Sequence, residues 1–261
     1  MILITGLDGS GKSTLLTKLE FALRSEDAVL RVPTIDCELF RSNELLYRMS
    51  LFINHIGKLA DEKQNPQLKI IAMFGAMLVV PALSNELSKT KETVLFLERH
   101  PLIDTRVYGA VYYKLMNSEL LNRAFFEALE NEFAEEFQFL LNLTPIQSSK
   151  SPLSPSHDLM DYLRQLFSQR PEKINQDLQL LFAIQKPSHI YFLDADASIL
   201  LSRLDSRSTK EHHESVELLT KMRPIYNHVF SELEIPFTTV NASSWKDLDA
   251  FTDQLIAEYV K

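Results

Sequence analysis

The stretch that decides the fold is Met1-Ile-Leu-Ile-Thr5-Gly6-Leu-Asp-Gly9-Ser-Gly11-Lys12-Ser13. Residues 1–5 are apolar and partly β-branched, which is typical of a buried parallel strand. Residues 14–24 carry leucines at helical spacing, so a helix is predicted directly afterwards. A strand, a glycine-rich loop and a helix in this order predict an α/β fold with the loop at the carboxyl end of the strand.

Residues 6–13 match the pattern G-x-x-x-x-G-K-[ST] in full. Glycines let successive backbone N–H groups surround phosphate oxygens, and the helix N-terminus adds the positive end of its dipole. In such a loop Lys12 reaches the β- and γ-phosphates, and the Ser13 hydroxyl binds Mg²⁺. The loop predicts nucleotide binding with ATP and Mg²⁺ as cofactors. The loop residues concerned are Gly6, Asp8, Gly9, Ser10, Gly11, Lys12, Ser13 and Thr14.

Composition excludes several classes of protein. The 261 residues are 45% hydrophobic and carry 27 basic against 35 acidic side chains, a net charge of −8, which argues against a nucleic-acid polymer as partner. The single cysteine, Cys37, excludes an intramolecular disulfide and a cysteine-rich zinc site. No run of 18 apolar residues is present, so we expect no transmembrane helix and no membrane partner. The first residues lack a basic region and a cleavage site, so we expect a cytoplasmic protein.

The rest of the chain alternates between strand and helix patterns. Four further strands are predicted at 28–32, 93–97, 189–193 and 237–240. Helical patterns lie at 43–59, 67–89, 158–168, 197–206, 215–233 and 245–260. This alternation predicts a doubly wound, five-stranded parallel sheet in a single domain over 1–261.

Residues 117–187 interrupt the alternation because they contain no strand pattern. An acidic amphipathic stretch at 118–143 is followed by a Ser/Pro-rich link at 144–157 and by more helix. We interpret the segment as a helical insertion with a hinge. Its role stays open between a lid, a homodimer surface and a partner site, and a solvated helical elaboration explains it equally well.

A second group of candidate residues, Glu98-Arg99-His100-Pro101, follows the strand at 93–97. A carboxylate at this end of the sheet lies near the phosphate loop, where Glu98 can hold Mg²⁺ or accept the proton of an attacking hydroxyl. Arg99 can clamp a transferring phosphoryl group. The alternative is a surface ion pair just after a strand.

These motifs resemble those of thymidylate kinases and deoxynucleoside kinases. The sequence GLDGSGKST at 6–14 resembles the thymidylate kinase phosphate loop, and Glu98-Arg99-His100 is similar to the Asp/Glu-Arg-x signature of both families. With Pro101 it also resembles the Asp-Arg-His-Pro of herpesviral thymidine kinases. The resemblance covers nearly the whole chain apart from 117–187 and implies an arginine-bearing lid at 203–215. It implies a P-loop kinase fold of the nucleoside monophosphate kinase type and ATP-dependent phosphoryl transfer to a nucleotide or nucleoside. The nearest family reaction is dTMP + ATP to dTDP + ADP.

The resemblance also implies roles for single residues. Asp8 would meet the sugar 3′-hydroxyl of the acceptor, and Arg99 would meet its phosphate. Gly9 stands where some thymidylate kinases carry a catalytic arginine, so the lid would supply Arg207, and with less support Arg203, to stabilise the transferring group. A solvated surface charge is the alternative for Arg207. The implied catalytic set is Lys12, Glu98, Arg99 and Arg207, with Ser13 and Glu98 as metal ligands and Arg203 among the nucleotide-binding residues.

Three positions depart from the family pattern and concern the acceptor. Ile35 and Leu78 stand where arginines that contact the acceptor are expected, and Tyr108 replaces a small polar or amide residue. Arg41 is the candidate substitute for a lost arginine. Phe74 is a candidate for stacking on a base, although core packing explains it better.

These departures keep two alternatives open. One is a nucleotide-binding switch or degenerate kinase whose residues 117–187 contact a partner protein. The other is a P-loop kinase for another small metabolite, which a pocket without room for a base beside Phe74 would favour.

Overall fold

The chain divides into two compact units, each built from separate stretches of sequence. The computed structural model describes residues 1–24, 27–32, 34–88, 94–116, 123–146, 155–205 and 216–259. The sheet unit comprises Met1–Arg31, Ser84–Ile103 and Gln185–Lys261, and the helical unit comprises Val32–Leu83 and Asp104–Ile184. The phosphate loop therefore belongs to the sheet unit, whereas most of the predicted insertion belongs to the helical unit.

The elements follow one another with the alternation that the hydrophobic pattern predicts. The strands are β1 (Ile2–Gly6), β2 (Ala28–Leu30), β3 (Leu95–Leu97), β4 (His189–Asp194) and β5 (Phe237–Asn241). The helices are α1 (Lys12–Ala22), α2 (Glu44–Lys63), α3 (Pro66–Leu87), α4 (Pro101–Met116), α5 (Arg123–Glu132), α6 (Ala134–Asn142), α7 (Pro155–Phe167), α8 (Pro171–Phe182), α9 (Ala197–Asp205), α10 (Val216–Glu232) and α11 (Trp245–Tyr259), with a 3₁₀ turn at Cys37–Phe40 before α2.

All five strands are parallel and lie in the order β2-β3-β1-β4-β5. This confirms the predicted α/β fold class, with the phosphate loop after the central strand as the resemblance to P-loop kinases implies. β1 is buried along its whole length because it has neighbours on both sides: Ile2 pairs with Phe96 of β3 and with His189 of β4. The residues that follow β1, β3 and β4 therefore meet at one edge of the sheet.

The edge strand β2 is shorter than its apolar pattern. The pattern predicts a strand over 28–32, but the strand ends at Leu30. β2 has only β3 as a neighbour, and β3 offers three residues for pairing, so the parallel ladder ends where Leu30 pairs with Leu97.

Helices of the sheet unit pack on the strands through leucines and aromatic rings. Leu15, Leu16 and Leu19 of α1 are fully buried, as their helical spacing predicts. On β4, the ring of Phe192 contacts two rings of α10, with centroids 5.2 Å from Tyr226 and 5.6 Å from Phe230. These contacts hold α1 and α10 beside the strands whose carboxyl ends carry the candidate site.

In the helical unit, the predicted acidic helix at 118–143 is two helices. α5 and α6 are separated at Phe133, whose backbone leaves the helical region (φ −122°, ψ 41°). Phe133, at the break, and Phe137, in the first turns of α6, both contact Phe52 of α2, at centroid distances of 5.2 and 5.1 Å. The break therefore lies where the stretch packs on α2.

α7 begins earlier than predicted, at Pro155 instead of residue 158. Proline fits the first turn of a helix because its missing N–H has no partner there. The next N–H, on Ser156, donates to the buried carboxylate of Glu130 on α5 at 2.7 Å. An acidic side chain from a neighbouring helix thereby stabilises this helix N-terminus. The central part of the Ser/Pro-rich link, 147–154, lies outside the described residues.

By length and composition α3 qualifies as a membrane-spanning candidate, with a mean hydropathy of 1.7 over its most apolar window. From the sequence we expected no helix of this length and hydropathy, so α3 differs from that expectation. Within the structure 72% of that window is buried against protein. Buried core helices pass the same test of length and hydropathy.

Candidate active site

The phosphate loop connects β1 to α1 through a backbone that requires glycine. Gly9 and Gly11 adopt the left-handed region, with φ of 82° and 93°. A Cβ atom added at Gly9 would lie 2.6 Å from the carbonyl oxygen of Leu200. Position 9 is therefore closed to the arginine that some thymidylate kinases carry there, because both the backbone and the neighbouring helix exclude a side chain.

Lys12 is the buried cation of the loop. Its ammonium donates to the carbonyl oxygens of Gly6 at 2.9 Å and Leu7 at 3.0 Å, and it lies 3.6 Å from the carboxylate of Asp8. Carbonyl partners compensate the loss of hydration that burial of an ammonium would otherwise entail. The positive charge is thus held inside the loop at the N-terminal end of α1, where phosphate oxygens bind in proteins with this motif.

Asp8 and Arg99 come together from two neighbouring strands. Nη2 of Arg99, which follows β3, lies 3.8 Å from the Asp8 carboxylate, which follows β1. Both side chains are largely buried, and Asp8 is flanked by two cations, Arg99 and Lys12. The structure therefore assembles three of the predicted site residues into one charged cluster at the edge of the sheet.

Glu98 directly precedes Arg99 in the sequence, and its side chain is half-buried. Its backbone N–H donates to the carbonyl of Leu30 at 3.0 Å, which continues the sheet pattern for one residue. Its carboxylate makes no hydrogen bond and no ion pair within the described ranges, so both oxygens are available for a metal ion or a proton.

The donor set fits Mg²⁺. Ser13 is exposed in the first turn of α1, and its hydroxyl and the Glu98 carboxylate are hard oxygen donors of the kind that Mg²⁺ prefers. Mg²⁺ is commonly held by one or two protein oxygens together with substrate phosphates and water. Accordingly, no group of three or more His, Cys, Asp or Glu side chains suited to a metal is found among the described residues.

His100 is a fully buried residue whose packing the sequence pattern does not reveal. Its Nε2–H donates to the carbonyl oxygen of Gln185 at 3.0 Å, which ties the turn after β3 to the segment before β4. Burial lowers the pKa of the imidazole to about 4, despite the opposing effect of that hydrogen bond. His100 is therefore neutral at physiological pH and positions the backbone next to Arg99.

Arg203 lies against the phosphate loop, close to where the resemblance implies a nucleotide-binding residue. Its guanidinium donates to the carbonyl oxygens of Gly9 at 3.3 Å and Ser243 at 3.1 Å. Its central carbon lies 4.5 Å from the ring centroid of Trp245, the only tryptophan of the chain. Burial lowers the pKa of Arg203. Trp245 is a site neighbour that we did not predict.

A further arginine, Arg223 of α10, was not predicted. It pairs with Asp194 at the end of β4, with Nε 2.9 and 2.8 Å from the two carboxylate oxygens, and donates to the carbonyl of Ala195 at 2.6 Å. β4 is the neighbour of β1, so this pair lies at the same edge of the sheet as the loop. No local sequence motif predicts the pairing of Arg223 with Asp194, because the two residues are far apart in the sequence.

The remaining predicted residues lie elsewhere. Arg207 and most of the predicted lid at 203–215 fall outside the described residues. Arg41 belongs to the helical unit, where it is 74% exposed and pairs with Glu38 at 3.1 Å. Within this unit it has the environment of a surface charge.

Phe74 is a core residue of the helical unit. Its ring lies 6.1 Å from that of Tyr162 and 6.4 Å from that of Phe182. It lines a cavity of about 30 Å³, which holds one water molecule or so and leaves no room for a base. The other lining residues are Ile70, Met73, Met77, Thr105, Tyr108, Gly109, Leu163 and Phe167.

Comparisons with known proteins show a likeness to solved structures. No protein-family model matches the chain, and no curated protein sequence matches it significantly. Among solved structures, that of deoxyadenosine kinase from M. mycoides with bound dATP is similar, with 14% sequence identity, 97% of each chain covered and a TM-score of 0.47. The parallel sheet with a phosphate loop after its central strand is established by the geometry of this chain itself.

Proposed function

We propose that this protein is a phosphotransferase that uses Mg-ATP and transfers the γ-phosphoryl group to a nucleotide or nucleoside. The observation that carries the proposal is the cluster of Lys12, Asp8 and Arg99 beside a loop whose glycines adopt left-handed backbone. A surface turn without a ligand has no need to bury two cations around one carboxylate. The acidic net charge agrees with a small-molecule substrate instead of a nucleic-acid polymer.

In the proposed mechanism the loop binds the donor. Backbone N–H groups at the N-terminus of α1 and the ammonium of Lys12 bind the phosphate oxygens. Ser13 would hold the metal ion, joined by Glu98 where the acceptor is a monophosphate and Glu98 does not act as the base, and the metal ion supplies charge neutralisation for the β- and γ-phosphates when bound. These groups stabilise the negative charge that spreads over the transferring phosphoryl group.

The acceptor is oriented by the residues that follow β3. For a nucleoside acceptor, a carboxylate oxygen of Glu98 takes the proton from the attacking hydroxyl. The new oxygen–phosphorus bond forms as the bond to the bridging β–γ oxygen breaks, and ADP leaves. Arg99, held beside Asp8, binds oxygens of the acceptor or of the transferring group. For a monophosphate acceptor, Arg99 supplies the phosphate contact.

Substitution of Lys12 tests the proposal. Lys12→Ala should lower kcat/KM for ATP by at least about 100-fold in an assay of ADP release with a panel of nucleosides and monophosphates. Lys18→Ala is the matched control, since Lys18 lies on the exposed side of the same helix and pairs with Asp249. Melting temperatures of both variants establish that the fold survives. If no acceptor is turned over by the wild-type protein and Lys12→Ala leaves ATP binding unchanged, the proposal is wrong.

The cavity beside Phe74 favours a second candidate, a P-loop kinase for another small metabolite. A volume of about 30 Å³ is far below the several hundred Å³ of typical ligand pockets. The donor residues are the same in both candidates, so Lys12→Ala does not separate them. The acceptor panel separates them when it includes small non-nucleoside alcohols and acids, because only the second candidate predicts turnover of these compounds.

A further inference from the structure

We propose that Arg203 is a positioning residue that holds the phosphate loop in place through Gly9 and Trp245, and that it makes no contact with the transferring phosphoryl group. The contacts of Arg203 with Gly9, Ser243 and Trp245 are called the clasp below. The inference rests on the proposed function, because the loop matters only if it binds a nucleotide. It departs from the role that the resemblance implies for arginines of the lid.

The guanidinium of Arg203 bridges two loops. One N–H group donates to Gly9 in the loop between β1 and α1, and another donates to Ser243 in the loop between β5 and α11. The planar fork of arginine allows one side chain to bond two carbonyl oxygens at fixed relative positions. The Gly9–Ser10 peptide unit is then held from both ends, since the N–H of Ser10 donates to the carbonyl of Leu7 at 3.1 Å.

Two helices contact the loop on either side of this bridge. A Cβ atom added at Gly11 would lie 2.6 Å from Leu248 and 3.2 Å from Trp245, both on α11. At Gly9 the equivalent close neighbour is Leu200 on α9. The loop backbone at Gly9 therefore meets the backbone of α9 directly, and at Gly11 it meets side chains of α11, so the loop is closely packed on both sides.

Trp245 completes the clasp. Its indole faces the guanidinium at 4.5 Å, a distance at which the cation is attracted to the ring. With one face on the indole and two N–H groups on carbonyl oxygens, the guanidinium is fixed before any nucleotide binds. Preorganisation of this kind strengthens binding because less conformational freedom is lost.

Steady-state kinetics of Arg203→Gln and Arg203→Lys test the proposal. Arg203→Gln should raise the KM and the Kd for ATP about tenfold while kcat stays within about threefold of the wild type. Arg203→Lys should fall between the two, because lysine keeps a cation near the indole but lacks the planar fork that fixes two donors at set relative positions. A contact with the transferring group would instead lower kcat by about 10³-fold or more.

A spectroscopic measurement gives a second, independent readout. Trp245 is the only tryptophan, so its emission reports on the clasp alone. Arg203→Gln should change that emission in the protein without nucleotide, whereas Lys246→Gln, which removes the adjacent exposed charge, should not. Melting temperatures of the variants separate a local change from unfolding.

Two results would overturn the proposal. One is a loss of kcat of about 10³-fold in Arg203→Gln with an unchanged KM for ATP. The other is an Arg203→Gln variant that matches Lys246→Gln in tryptophan emission and ATP affinity. If the wild-type protein binds no nucleotide, the proposed function fails, and the emission of Arg203→Gln still decides whether the clasp exists.

Discussion

Charged residues of the candidate site lie close to side chains of opposite charge. The Asp8 carboxylate lies near both Lys12 and Arg99 and contributes to the charge balance of these two largely buried cations. Glu98, the neighbour of Arg99 in sequence, has a carboxylate without a protein partner among the described residues. In the proposed mechanism the two acidic residues therefore have separate tasks: Asp8 would orient the cations, and Glu98 would accept the proton.

A residue-scale prediction concerns Glu98. Glu98→Gln should lower kcat for a nucleoside or other hydroxyl acceptor by about 10²- to 10³-fold, because glutamine cannot accept the proton. Glu20→Gln, which removes an exposed carboxylate paired with Arg31, should leave kcat unchanged. Initial rates at saturating ATP and acceptor provide the measurement. An unaltered kcat in Glu98→Gln would exclude Glu98 as the general base.

At the scale of elements, a side chain stabilises the edge of the sheet in addition to the hydrogen bonds between the strands β2 and β3. The carboxylate of Asp27, directly before β2, accepts hydrogen bonds from the Val94 N–H at 2.7 Å and from Nε of Arg24 at 2.9 Å. Burial raises the pKa of Asp27, but the bonds from Arg24 and Val94 outweigh it and leave the pKa below its usual value. This carboxylate thus joins the short strands β2 and β3 at their start.

Removal of that carboxylate should weaken the fold. Asp27→Ala should lower the free energy of unfolding by about 2 kcal/mol at pH 7, because the part-buried N–H of Val94 and the guanidinium of Arg24 lose their partner. The pKa is depressed in the native state, so the stabilisation is present above the usual pKa of Asp and is lost as pH falls below it. Urea unfolding at pH 7 and pH 3 measures both effects. Asp253→Ala, an exposed site on α11, should show neither.

The strands and the phosphate loop were predictable from the sequence because the patterns that indicate them are local. The apolar runs around Ile4, Phe96 and Phe192 predict their strands, and the motif at 6–13 predicts the phosphate loop. The break at Phe133 was not predictable, because the amphipathic pattern of residues 118–143 continues through it.

The resemblance implied Arg203 as a nucleotide-binding residue, but its contacts with the loop were not predictable from the local sequence. Arg203 meets Gly9 and Ser243 only because α9 and α11 pack beside the central strand, and such packing leaves no periodic or motif signal. The pairing of Arg223 with Asp194 likewise depends on how α10 lies along β4.

At the scale of the whole molecule, one buried histidine links stability to pH. Burial lowers the pKa of His100 to about 4, whereas an unfolded chain binds the proton near pH 6.5. The unfolded state therefore binds more protons between these values, and the free energy of unfolding should fall as pH decreases through this window. From pH 7 to pH 5 the contribution of His100 is about 2 kcal/mol.

His100→Gln should remove this pH dependence while keeping a donor for the carbonyl of Gln185. The measurement is urea unfolding at pH 7, 6 and 5, followed by circular dichroism. His228→Gln, which changes an exposed histidine on α10, should keep the wild-type slope. An identical slope in His100→Gln would mean that the buried imidazole does not control the acid sensitivity of the fold.

The register of β1 has a consequence for biosynthesis. Ile2 leaves the ribosome before both of its partners in the sheet, Phe96 and His189. At 5–20 residues per second, roughly 10 to 40 s pass between the synthesis of Ile2 and that of its second neighbour. During that time an apolar strand can associate with other nascent chains. The central position of β1, which places the loop in the middle of the sheet, thus means that β1 waits for two later strands before it is enclosed.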